Sequence, residues 1–183
     1  MNKIHGGNFA IGNMARALVL TLMAFMVTGL AAAQTDAAAD SLVKFKGGIG
    51  VIPVTGVGAN GVVNLNVVRG VNPGAPWRIA DLQAVISPVG HIKVVGRGLL
   101  LASGNGLGTN ARQSVHATLF CGPAASSSSS LPGVPLAADG DFVIDDFLSP
   151  PPPVPCDSPV LLIRNAGGVW FAAGIPNLAD GQK

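Results

Sequence analysis

The sequence predicts an all-β protein: a single-domain antiparallel β-sandwich, or open barrel, of about eight strands, preceded by a signal-peptide helix. Three observations lead there. Short runs rich in Val, Ile and Leu recur after residue 43, several with a two-residue period. Glycine and proline, 25 and 14 of 183 residues, punctuate the chain too often for amphipathic helices of ordinary length. The longest apolar run lies near the N-terminus, in the setting of an export signal.

Lys3 and Arg16 make that N-terminus basic, and no acid precedes Asp36. The apolar run over 17–30 is interrupted only by Thr21, Thr28 and Gly29, and Ala31, Ala32 and Ala33 follow. Small residues there suit signal peptidase, so cleavage is expected before Gln34. With the alanines the run is 17 residues, the short edge of what spans a ~30 Å hydrocarbon core. No basic stop-transfer cluster follows, so a cleaved signal is expected rather than an anchor, with no membrane span afterwards. No Cys follows the run either, which argues against lipid attachment there. The expected division is a signal peptide over 1–33, a flexible Ala/Asp-rich leader over 34–42, a β domain over 43–176 and a tail over 177–183. The expected compartment is the periplasm or the medium.

The chain has 11 Lys+Arg and 9 Asp+Glu, every acid being Asp. Loss of Lys3 and Arg16 with the signal leaves 9 of each, so the exported part is formally neutral. Its basic residues are scattered singly along the sequence, which argues against nucleic acid, whose binding rests on clustered Lys and Arg. The two cysteines, Cys121 and Cys156, stand 35 positions apart. In an oxidising compartment a lone pair is expected to form a disulfide, contributing about 3–4 kcal/mol by the chain-entropy estimate. Two thiols alone cannot build a zinc site.

Taken in order, the expected strands begin with 44–54, glycine-heavy and ending near Pro53, as suits an edge. Residues 62–69 alternate, with Val63, Leu65 and Val67 against Asn64 and Asn66. Residues 77–86 fit either a short helix starting after Pro76 or a strand; the alternation of Ala80, Leu82, Ala84 and Ile86 favours a strand. The turn Ser87-Pro88-Val89-Gly90 leads into a strand over 91–102. Residues 114–121 alternate most cleanly, Val115, Ala117, Leu119 and Cys121 against Ser114, His116 and Thr118. Strands over 142–148, 159–164 and 169–175 follow, the last two joined by a hairpin-like link at Asn165-Ala166-Gly167-Gly168. The serines over 126–130 read as a flexible tract, and the prolines over 150–153 with Pro155 as a rigid arch held by the disulfide. With so few aromatics, Trp77 and Trp170 are expected in the core.

No motif carries a defined chemistry. Residues 56–61 have G-x-G-x-x-G spacing, but a dinucleotide site needs a helix next, and a two-residue period follows; Asn60-Gly61 reads as a hairpin turn. Asp139, Asp141, Asp145 and Asp146 form the one acid cluster, without EF-hand spacing, and read as a turn entering a strand. His91 and His116 are expected at the surface, on polar strand faces. The link over 104–113 is the most loop-like candidate for recognition. No catalytic, cofactor-binding or metal-binding residue is therefore nominated, and Cys121 and Cys156 are the only site residues. The expected role is a non-enzymatic envelope or extracellular binding or structural module for a protein or glycan ligand. The alternatives are a hydrolase using Asp, His and Ser, and a calcium-dependent adhesin-like module.

Overall fold

The computed structural model describes residues 41–53, 56–57, 63–64, 66–123 and 125–177. The expected signal peptide, most of the leader, the Asn60-Gly61 turn and most of the tail lie outside the described residues. Among the described residues there is no helix. The strands are β1 (Val43–Gly50), β2 (Gly56–Val57), β3 (Val63–Asn64), β4 (Trp77–Arg78), β5 (Asp81–Ile86), β6 (His91–Arg97), β7 (Leu100–Leu101), β8 (Ser114–Cys121), β9 (Ala125–Ser128), β10 (Val134–Pro135), β11 (Phe142–Phe147), β12 (Val160–Arg164) and β13 (Trp170–Pro176).

One antiparallel sheet runs β10-β8-β12-β13-β1-β5-β6-β11, with β9 also on β8; β2–β3 and β4–β7 are separate pairs. The large sheet curls until its ends meet. Ser128, ending β9, and Ser149, just past β11, exchange N–H···O bonds of 3.1 and 2.8 Å. Nearby, Ser130 N–H donates to Asp146 Oδ2 at 2.7 Å; at the other end of β11, Ala137 N–H donates to Asp141 O at 2.9 Å in the turn that enters the strand. The result is a nearly closed barrel, a solution that leaves little bare strand edge.

Alternation explains the inside. In β5, Leu82, Ala84 and Ile86 are buried between outward Gln83 and Val85; β6 repeats this with Ile92 and Val94 against Lys93 and Arg97. The register aligns these residues in rows: Ala84 with Val94 and Ile144, Leu82 with Gly96 and Phe142. Glycine in such a row makes room for a large neighbour. A Cβ built on Gly96 would overlap the Phe142 ring, so Phe142 fills the space that a side chain at 96 would need.

Strand β8 is buried on both faces, which its alternation did not suggest. Val115, Ala117, Leu119 and Cys121 form one face, but His116, Thr118 and Phe120 on the other are also buried. Residues 66–74 cross β13: Trp170 Nε1–H donates to Asn66 O at 3.1 Å, Trp170 N–H to Asn72 O at 3.1 Å, and Gly74 N–H to Trp170 O at 2.9 Å. This strap replaces much of the strand expected over 62–69: Val68 and Val71 instead close a tight turn on each other. The tryptophans are core residues as expected, each 3% exposed, and Trp77 stacks on Phe171 at a centroid distance of 4.2 Å.

The serine tract corrects another expectation. It forms β9 and is not a loose linker. Buried Ser129 Oγ accepts from Ala117 N–H at 3.0 Å, and the Ser128 and Thr118 hydroxyls lie 2.9 Å apart. Hydroxyls satisfied by β8 can be buried without loss. The disulfide is present, joining Cys121 to Cys156. Pro152 is buried against the turn at Gly90, so the proline segment is anchored in its middle and at its Cys156 end.

Candidate functional site

The alternation that fills the barrel also composes its outer face. Across β1, β5, β6 and β11, the register places Lys44, Val85, Lys93 and Asp145 in one row. Lys46, Gln83, Val95 and Val143 form the next. Adjacent strands lie about 4.8 Å apart, so these side chains are neighbours. Lys44, Lys46 and Lys93, with Gln83, Val85 and Val95, line an open groove of about 270 Å³. All three lysines among the described residues are in it. Next to the groove, Val143 and Phe147 are 53% and 60% exposed. Lys44 and Lys46, two apart on a strand, share a face by sequence alone; Lys93 joins them only through the pairing of β5 with both β1 and β6. Lysines scattered along the chain are therefore clustered in space.

His91 lies at the end of this face. Its Nε2 is 2.7 Å from Asp145 Oδ1, and Lys93 Nζ is 3.9 Å from Asp145 Oδ2. The imidazole tilts against the Phe147 ring at 5.1 Å. At 43% and 54% side-chain exposure, the His91–Asp145 contact is a surface pair, worth little in stability. Ser87 completes the residue types of a hydrolytic triad but not its connectivity. Ser87 Oγ accepts the His91 backbone N–H at 3.1 Å, and among the described residues no hydrogen bond joins it to the imidazole. The nucleophile-to-base link is not made here.

His116 departs from its expected surface position: it is 4% exposed, on β8, in register with Arg164. Burial, then the Arg164 guanidinium, lowers its pKa below the ordinary histidine value; the backbone at Asn165 and Ala117 acts the other way. Its Nδ1 is buried without a hydrogen-bond partner. Arg164 donates from Nη1 to Thr118 Oγ1 at 3.2 Å and from Nη2 to Gly168 O at 2.9 Å, tying β8 to the β12–β13 hairpin. His116 and His91 therefore sit in separate settings, one in the fold and one on the outer face.

Asp145 apart, the clustered acids accept backbone amides. Asp141 Oδ1 accepts Gly98 N–H at 2.9 Å, and Asp139 Oδ1 accepts Asp141 N–H at 3.1 Å. Asp146 accepts Ser130 N–H and Phe147 N–H, both at 2.7 Å, and the Ser130 bond is the main reason its pKa is lowered. Among the described residues, no group of three or more His, Cys, Asp or Glu side chains could hold a metal ion. After the glycine-rich motif at 56–61 comes β3, paired antiparallel to β2, where a dinucleotide site would need a helix. The loop over 104–113 is tied at its base by Leu101 N–H to Thr109 O and Gly108 N–H to Leu101 O, both 2.9 Å, and it exposes Leu107.

The Cys121–Cys156 disulfide is buried and compatible with an oxidising, extracellular compartment. No family model, no curated protein and no solved structure matches this chain.

Proposed function

We propose that the chain is an exported, non-enzymatic binding or structural module of the envelope or medium, and that it engages its ligand through the outer face of β1, β5, β6 and β11. The observation that carries the binding reading is the gathering of Lys44, Lys46 and Lys93 around Val85 and Val95 in one open groove. Mixed charge beside exposed apolar side chains marks interaction surfaces. The export reading rests on the N-terminal sequence and the buried disulfide.

Two measurements test it. Cell fractionation with intact-mass analysis is expected to find a chain starting at Gln34, without free thiols. Cytosolic protein still starting at Met1 would defeat the export reading. For binding, arrays of glycans, peptides and lipids are probed with the protein and its Lys46→Glu/Lys93→Glu variant. A ligand held by the first and lost by the second is expected; a ligand held equally by both places the site elsewhere.

The 2.7 Å His91–Asp145 contact favours hydrolysis as a second reading. That reading expects ester or glycoside turnover that His91→Ala abolishes, and it fails if turnover is absent or survives the substitution.

A further inference from the structure

We infer that the groove face is a docking surface for an anionic lipid bilayer, an inference that rests on the proposed binding face and names its partner. Lys44, Lys46 and Lys93 are brought together by the pairing of three strands, whereas the exported sequence is formally neutral. Of the eight described Lys and Arg residues, this face carries Lys44, Lys46, Lys93 and Arg97; of the six described Asp residues, it carries Asp81 and Asp145. Four positive charges against two leave a net of +2 on one side of the barrel. Asp145 is already engaged, by His91 at 2.7 Å and Lys93 at 3.9 Å.

The apolar residues of this side extend outward. Val85, Val143 and Phe147 are 43%, 53% and 60% exposed, and Val89, in the turn between β5 and β6, is 71% exposed. A concave site for a small ligand would enclose its apolar contacts. Here they stand among lysines, an arrangement that suits a headgroup layer, where aliphatic and aromatic tips enter the interface and ammonium groups meet phosphates. The use of lysine separates a lipid surface from a protein partner. Protein interfaces are depleted in Lys and built around Tyr, Trp and Arg, whereas lysine is a point charge that serves an anionic surface without a fixed binding geometry.

The test is co-sedimentation of the exported, oxidised protein with vesicles. Phosphatidylglycerol mixed with phosphatidylcholine is compared with phosphatidylcholine alone, at low and high salt. Binding is expected only with the anionic vesicles and is expected to fall as salt rises. Lys46→Ala and Lys93→Ala should each lower partitioning by about fivefold. Phe147→Ala should lower it with little change in salt dependence. Arg112→Gln, on the link between β7 and β8 and outside the lining of the groove, should leave it unchanged. Unfolding curves of each variant report whether the fold is kept, and the conservative Lys46→Arg and Lys93→Arg should restore binding. Equal binding to both vesicle types, or full binding by the alanine variants, overturns the inference. Competition by inorganic phosphate would make this a small-anion site and also overturns it. Absence of vesicle binding by a correctly exported protein overturns it in favour of a protein partner, while the export reading stands.

Discussion

Ser128 and Ser149 exchange two backbone hydrogen bonds, of 3.1 and 2.8 Å, and this pair joins β9 to the chain just beyond β11. Without it the sheet would run from β8 round to β11 and stop, leaving two edges. Beside it, Asp146 holds the Ser130 N–H at 2.7 Å. The closure of the barrel thus rests on a short polar seam.

Opening that seam should cost stability without unfolding the rest. Ser128→Pro removes the N–H that Ser149 O accepts and should destabilise the protein by about 1–3 kcal/mol in urea unfolding. Amide exchange should accelerate at Ser149 and Ser130 before it does at Val94 or Ile163. An unchanged unfolding midpoint would show that closure adds nothing to stability.

Gly96 and Phe142 should behave as one unit. Gly96→Ala forces the ring from its place and should cost about 1–3 kcal/mol, and Phe142→Ala about 3–5 kcal/mol. Gly96→Ala combined with Phe142→Leu should cost less than the two single changes summed, because the smaller side chain frees the space that the new methyl needs. Strict additivity in the double-mutant cycle would refute the coupling.

The disulfide ties the end of β8 to the segment ahead of β12 across a separation of 35 residues. Replacing both cysteines with alanine should lower stability by roughly 3–4 kcal/mol. Reduction of the native protein should move the unfolding midpoint by a similar amount, and a midpoint insensitive to reductant would contradict this.

His116 gives the fold an acid-side weakness. Its pKa is lowered in the folded protein, so the unfolded chain takes up the proton first as pH falls. Its contribution is fully present above the ordinary histidine value of 6.5 and is lost as pH drops from there through the folded pKa. His116→Gln should flatten the stability profile in that window. Asp146 has the same sign in more acidic solution: its carboxylate holds the Ser130 and Phe147 N–H groups, and that contribution is lost below the ordinary carboxylate range. Asp146→Asn should remove that loss, read by thermal unfolding across pH.

Local chemistry determined a good deal of this protein. Two-residue alternation marked β5, β6 and β8, the Asn165–Gly168 link made the expected hairpin, and two lone cysteines found each other. Such features depend on residues close in sequence, or on there being only one partner to choose. The tertiary structure decided what depended on distant partners. Ser126–Ser128 became a strand because β8 lay beside it to satisfy its hydroxyls and amides, and His116 was buried despite its polarity. Residues 66–74 became a strap because Trp170 offered them hydrogen bonds across about a hundred positions of chain. Lys93 met Lys44 and Lys46 only through the register of β5 with its two neighbours. Period and composition fix which way a side chain faces along its own strand, but which charges share a surface is set by strand order, and that order is chosen by the burial of the whole core.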